Sequence, residues 1–241
     1  MIWRVKHFTL HIHDVPMLTP QCAKCVERFC YRKEYDPEQL PPFCPMKHKQ
    51  DVIDSAMKKY DEKETKLYVN STINEQRAYQ NIRGRVMAVR PRLLEIIKFS
   101  EMMGWKKLGV AFCVGLANEA KRTVEILEGA GFDVYSVCCK CGNVDKSEWG
   151  ISEEDKIISL RGQAGFEAGC NPIVQAEVLN SEELDLHIIV GLCIGHDIQF
   201  TKHSKPPVTT FLVKDRLTGH NPMATLYSNY HHPRLWKEED P

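Results

Sequence analysis

The stretch Leu184-Asp185-Leu186-His187-Ile188-Ile189-Val190-Gly191-Leu192-Cys193-Ile194-Gly195-His196-Asp197 decides how this chain is read. Its first half is a short apolar run rich in β-branched residues, the pattern of a strand buried on both faces. The run stops at Gly191, and Gly195 follows closely. Glycine lets a backbone turn sharply and come close to a ligand. Between and after the two glycines stand a thiol, an imidazole and a carboxylate: Cys193, His196 and Asp197. Such groups just past a strand end suit a metal site or a catalytic site.

The same grammar recurs on both sides. Lys107–Phe112 has strand character and ends on Cys113; Phe132–Val137 ends on Cys138-Cys139-Lys140-Cys141; Val208–Val213 ends on Lys214-Asp215-Arg216. Helical stretches separate them. Ala117–Gly129 is one, Glu153–Gly165 is rich in helix formers, and Asn171-Pro172 is a cap followed by a first-turn proline that opens a helix to Asn180. Strands alternating with helices predict an α/β domain, a three-layer Rossmann-like or flavodoxin-like parallel sheet. Parallel strands put their C-terminal ends on one edge, where ligand sites of open α/β folds form. Cys113, Cys139 and Cys193 follow strand ends, and Cys170 precedes a helix start at the same edge. Four cysteines spread through the domain are thus expected at one cofactor site, with Cys138 and Cys141 as spare thiols. Free cysteine is also an ordinary core residue, which explains one or two of them less well than three strand-end repeats.

A second cluster precedes the domain. Cys22-x2-Cys25-x4-Cys30-x13-Cys44, with Pro45 after it, supplies four thiols within one short segment. That number suits a tetrahedral zinc or a [4Fe–4S] cluster, and spacing does not separate the two. The Pro-rich segment 35–43 has too little apolar content to fold without a clip. Residues 51–104 have helical periodicity, with Gly84 and Pro91 as breaks over Thr72–Met103 and Gly104 as a C-cap. The expected organisation is an extension (1–20), a four-cysteine metal-binding module (21–50), a helical connector (51–104), the α/β domain (105–230) and a tail (231–241). His11 and His13 share a face if the extension is a strand, but two solvated histidines are the plainer reading.

Composition narrows the function class. Lys plus Arg and Asp plus Glu are each 32, so no basic excess points to nucleic acid. No apolar run is long enough for a membrane span, and Met1–Leu10 is mixed and charged, unlike a signal peptide. A cytoplasmic location is expected. Ten cysteines in a reducing compartment are metal ligands or redox groups before they are disulfides. A zinc deaminase needs His-x-Glu and Pro-Cys-x-x-Cys, and neither is present. There is no GxGxxG or Walker loop and no GxSxG elbow.

The runs Cys22-Ala-Lys-Cys25, Gly109-Val-Ala-Phe-Cys113-Val-Gly115-Leu, Cys170-Asn-Pro-Ile-Val-Gln-Ala-Glu177, Gly191–Asp197 and Val213-Lys-Asp-Arg-Leu-Thr-Gly-His-Asn-Pro222 resemble a prokaryotic family, domain of unknown function 1847. Many members come from anaerobes, and they are described only as candidate metal-binding proteins. The resemblance spans about Cys22 to Tyr227. It implies a low-oxygen cytosolic setting and brings no reaction, cofactor or catalytic residue.

The leading expectation is therefore an iron–sulfur protein with redox or sulfur-transfer chemistry on a small anionic substrate, served by an electron-transfer partner. It would carry one or two [4Fe–4S] clusters, the catalytic one on Cys113, Cys139, Cys170 and Cys193. Cys22, Cys25, Cys30 and Cys44 would hold a relay cluster or a zinc. His196 would donate protons, Asp197 orient it, and Lys214 and Arg216 anchor the substrate. The rival readings are a zinc-binding structural or thiol-sensing protein, and a thiol enzyme with Cys193 as nucleophile and His196 as base.

Overall fold

A computed structural model describes residues 19–228 together with Tyr230 and Leu235. His11, His13 and nearly all of the 231–241 tail lie outside the described residues. The chain divides into two compact units, Met1–Val69 and Asn70–Pro241.

In the first unit three single-turn 3-10 helices, Cys22–Lys24, Phe29–Tyr31 and Pro37–Gln39, precede α1 (Pro45–His48), α2 (Gln50–Met57) and the first half of α3 (Glu62–Arg77). Among its described residues only Phe29 and Leu40 are buried. The division between units falls inside α3, within the stretch read as a connector.

That stretch is not helical throughout. After α3 come β1 (Tyr79–Ile82) and β2 (Arg85–Ala88), an antiparallel hairpin in which Ile82 pairs with Arg85. Arg83 and Gly84 both have positive φ, 52° and 80°. Two such residues make the tight turn whose twist matches paired strands. The Asn81 side chain accepts the Gly84 N–H at 2.8 Å and closes it. Gly84 thus breaks the helix by building a hairpin. Helix returns at α4 (Arg92–Met103), which begins after Pro91 and ends at Gly104, φ 77°.

The second unit is mixed α/β. Its four-stranded parallel sheet comprises β3 (Lys107–Phe112), β4 (Asp133–Cys138), β5 (Leu186–Val190) and β6 (Val208–Leu212), in the order β4-β3-β5-β6. α5 (Ala117–Gly129) connects β3 to β4. A long insertion and α6 (Pro172–Asn180) connect β4 to β5. α7 (His196–His203) connects β5 to β6, and α8 (Met223–Tyr227) follows. The chain moves from β3 to one side and then returns to add strands on the other. The reversal lies between β3 and β5, where strand-end loops diverge and leave a crevice.

All five residues of β5 are buried, as are Leu108, Val110 and Ala111 of β3. Leu116, Leu127, Ala176, Leu179 and Phe200 pack the flanking segments and helices onto them. This explains why β5 is apolar without alternation: both faces are covered. The Asn171 side chain accepts the Val174 N–H at 3.3 Å and Pro172 takes the first turn, so α6 starts where its cap places it. The expected helix over Glu153–Gly165 is instead two 3-10 turns, Glu153–Asp155 and Ile157–Arg161, after an earlier one at Lys146–Trp149. Gly150 ends the earlier turn and Gly162 the last, at φ 77° and 67°. Among the described residues no helix is long and apolar enough to cross a membrane.

His187 sits within β5, fully buried against Phe200, with Nδ1 3.0 Å from Ser204 Oγ. Nε2 has no hydrogen-bond partner among the described residues. Burial disfavours the charged ring and lowers its pKa from 6.5 to about 4. An unfolded chain takes up this proton below about pH 6.5, whereas the folded chain resists until about pH 4. Stability from this group is therefore intact at neutral pH and lost as pH falls across that window, by up to about 3 kcal/mol. Urea titrations of metal-free protein at pH 7 and pH 4.5 should show the loss. His187→Leu should flatten it.

Candidate functional site

Strand register assembles the site. Phe112 lies opposite Cys138 on one side and Val190 on the other. The next residues, Cys113, Cys139 and Gly191, therefore leave the sheet at one level. The Cys113 N–H bonds to the Val190 carbonyl at 3.2 Å and the Cys139 N–H to that of Phe112 at 2.8 Å. The Asn171 N–H bonds to the Cys139 carbonyl at 2.7 Å, which brings Cys170 and the start of α6 to the same edge. Buried Gln175 donates to the Phe112 and Val137 carbonyls at 3.1 and 2.7 Å and ties α6 there.

Three thiols influence one another's protonation: Cys139 acts on both Cys113 and Cys170. Cys139 is buried and also accepts the Val114 N–H at 3.3 Å. Cations meet the outer two. Lys214 Nζ donates to Cys113 Sγ at 2.9 Å, and Lys140 Nζ lies 3.5 Å from Cys170 Sγ. His196 acts on Cys170 as well, favouring its thiolate. The Cys139 hydrogen bond and the Lys214 ammonium lower the Cys113 thiol to about 5, against burial. The Cys139 hydrogen bond, His196 and Lys140 lower Cys170 to about 3, also against burial. Cys139, donating between two such neighbours, is pushed well above the usual thiol range. Cys193 has its own cation, with Arg216 Nη2 2.9 Å from Sγ.

One glycine makes this spacing possible. Gly191 has φ 66°, and a Cβ there would lie 2.8 Å from Leu116 Cδ2.

Some residues stand where the sequence suggests but face other partners. His196 opens α7, and its backbone N–H returns to the Cys193 carbonyl at 2.9 Å, while its side chain lines the same cavity as Cys170 and favours that thiolate. The Asp197 carboxylate, in the first turn of α7, accepts the adjacent Ile198 N–H at 2.8 Å, where it was expected to orient His196. Lys214 and Arg216 meet thiols, and Asp215 accepts the Leu217 and Thr218 N–H groups, which hold its carboxyl below the usual range. Cys138 and Cys141 form a turn, closed by the Cys141 N–H on the Cys138 carbonyl at 3.1 Å.

A cavity of about 700 Å³ opens above this edge, lined by Cys113, Cys170, Cys193, His196, Lys214 and Arg216. Its other wall comes from the insertion between β4 and α6, through Lys146, Trp149, Ile151 and Ile157. None of these wall residues belongs to a motif. Lys140 was visible in the sequence inside the Cys138–Cys141 run. The insertion is held by charge. The Lys156 side chain is 1% exposed, and its Nζ lies 3.0 Å from Asp145 Oδ1, 2.6 Å from Glu153 Oε1 and 2.7 Å from the Gly165 carbonyl. Lys146 and Glu167 add a 2.6 Å pair. A smaller hollow of about 260 Å³, near Asn74, Arg92 and Thr209, holds no thiol or imidazole.

In the first unit, Cys22, Cys25, Cys30 and Cys44 line one hollow of about 60 Å³ with Arg28, Phe29, Pro41 and Phe43. The Cys25 N–H bonds to the Cys22 carbonyl at 3.1 Å. Arg28, at φ 49°, gives its N–H to Cys25 Sγ at 3.4 Å. Among the described residues, at neither site do three His, Cys, Asp or Glu side chains converge on a single ion position.

A family model described as "Protein of unknown function (DUF1847)" matches residues 44–211. The chain belongs to this family. The matched span holds the α/β cysteines, His196 and Asp197, and begins at Cys44. A protein of Methanocaldococcus jannaschii, itself named only as uncharacterized, is 41% identical over 215 residues, covering 89% of this chain and 97% of the relative. No solved structure matches.

Two tests address this geometry. In metal-free protein, alkylation of Cys170 should vary by less than about twofold between pH 6 and 8, where an ordinary thiol slows about tenfold per unit. Peptide mass spectrometry reads this, and His196→Ala should restore part of the slope. Lys156→Met should open the insertion: proteolysis should cut between residues 145 and 168 while the thermal transition of the sheet moves little.

Proposed function

We propose that this chain is an iron–sulfur protein of a reducing compartment, acting by redox or sulfur-transfer chemistry on a small anionic substrate. In this reading Cys113, Cys139, Cys170 and Cys193 hold a [4Fe–4S] cluster. One observation carries it: Cys113, Cys170 and Cys193, from separate segments, line one cavity at the sheet edge, buried Cys139 follows a strand at that edge, and Lys214, Lys140 and Arg216 lie beside Cys113, Cys170 and Cys193. Metal-binding thiols must be deprotonated, and nearby cations offset the charge that four thiolates bring together. A bound cluster supplies reversible electron transfer, tuned by hydrogen bonds to sulfur and by exposure.

The chain's own groups divide the remaining tasks. Lys214 and Arg216 hold negative charge at the cavity floor. His196, lining the cavity with Cys170, would serve as proton donor. The Val114 N–H bonds to the Cys139 sulfur and orients it. Cys138 and Cys141 lie beside Cys139 as reserve thiols.

The fold reading sharpens with this proposal. Counted from its first strand, the parallel sheet has the order 2-1-3-4, which favours a three-layer flavodoxin-like arrangement over a Rossmann-like one. Right-handed crossovers would put α5 on one face and α6 and α7 on the other.

Cys22, Cys25, Cys30 and Cys44 would hold a second centre. A segment of this size with two buried apolar residues needs a clip. The hollow between the thiols is roughly four times what one water-sized sphere needs, which favours a cluster over a lone zinc. An electron-carrying role follows from that choice. A structural zinc remains the alternative occupant.

A second reading draws on His196 and Cys170 lining the same cavity, where His196 favours the Cys170 thiolate. It makes the protein a thiol enzyme or sensor, with Cys170 in place of Cys193 as the thiol that His196 serves.

Protein purified without oxygen should contain about eight iron and eight sulfide per chain with both sites filled, and absorb visible light. Cys139→Ala should lower both to about four. Stoichiometric zinc without acid-labile sulfide would overturn the iron–sulfur reading.

A further inference from the structure

The proposed function leaves the substrate at "small anion". The cavity itself carries more. Its volume of about 700 Å³ falls in the range that encloses organic ligands. It equals the space of roughly twenty waters, far more than an inorganic oxyanion fills.

Its two walls differ in chemistry. The sheet-edge wall presents Lys214 and Arg216 beside the thiols. The insertion wall presents Trp149 and Ile157, 50% and 59% exposed, with Ile151 between them in sequence. Single exposed apolar residues are ordinary. A tryptophan and two isoleucines lining one concave surface are not. They would remain in contact with water if the ligand were a bare ion.

The apolar wall is also rigidly built. A Cβ on Gly169 would stand 2.3 Å from the Trp149 ring, so the ring rests directly on that backbone. Lys156, buried among Asp145, Glu153 and the Gly165 carbonyl, pins the segment that carries Trp149 and Ile157. A wall held in place before binding spends no ordering entropy on its ligand.

Resting on the anion-binding reading above, we propose that this cavity takes an organic anion with an apolar, planar-ended body: a carboxylate whose charge lies toward Arg216 and Lys214 and whose body lies against Trp149 and Ile157. The anion gives orientation and the apolar body gives affinity. Substrate choice then belongs to the insertion.

Calorimetry of the anaerobically purified full chain tests this with three probes: acetate, 4-phenylbutyrate and neutral 4-phenylbutyramide. The phenyl body should tighten binding at least about tenfold over acetate. The amide should bind at least about tenfold more weakly than the acid. Trp149→Ala and, separately, Ile157→Ser should each weaken 4-phenylbutyrate without changing acetate. Ile157 is exposed, so its variant keeps the fold. Equal affinities for acetate and 4-phenylbutyrate overturn the proposal, as does an amide that binds as well as the acid. So does unchanged 4-phenylbutyrate binding in both variants. Iron and sulfide assays on the same samples separate the two readings. Tight, charge-dependent binding without iron overturns the cluster and keeps the ligand class. Full iron content with a flat probe series does the reverse.

Discussion

Everything at the functional edge depends on the register of β3. Phe112 is level with Cys138 and with Val190, so the chain leaves three strands at one height. Hydrogen bonds continue for one residue past the strands, from Cys113 to Val190 and from Cys139 to Phe112. A one-residue slip would move Cys113 and Cys139 to different levels and exchange the faces their side chains point to. The register is held by burial. Leu108, Val110, Ala111, Ile188 and Val190 are covered on both sides and could not be shifted without exposing core. The apolar core and the placing of the thiols are thus two consequences of one alignment.

Electrostatics then act on what the register places. Burial alone raises thiol pKa values, which would leave an inert core cysteine. Here Lys214 and Lys140, with His196, oppose burial at Cys113 and Cys170, and Cys139 donates between them. The cations come from segments that also follow strands: Lys140 after β4, Lys214 and Arg216 after β6. A parallel sheet therefore delivers thiols and their counter-charges by the same rule.

This logic explains what could be read from sequence. The parallel sheet and the starts of α5 and α6 were legible because each has a local signal: an apolar run, a helical period, Asn171 before Pro172. That Cys113, Cys170 and Cys193 line one cavity was legible because strand ends share an edge. Pairings within the site were not. His196 lies three residues from Cys193 yet acts on Cys170, a neighbour made by topology. Asp197 bonds within its own helix, to the Ile198 N–H, a first-turn donor. The β1–β2 hairpin was missed because its strands carry no buried face to impose alternation; only Asn81 and Gly84 marked it.

The insertion between β4 and α6 was least legible, for a physical reason. It has neither helical nor strand periodicity, because its shape comes from ion pairs and left-handed glycines. Lys156 binds Asp145 across eleven residues and Glu153 across three, while Lys146 reaches Glu167. Long-range pairs of this kind leave no pattern in a sequence window. Such a device has one advantage over an apolar core: it leaves the segment's own apolar residues unused. Trp149, Ile151 and Ile157 can then face the cavity, because charge already does the holding. A segment stabilised by burying these same residues would have no apolar wall to offer a ligand.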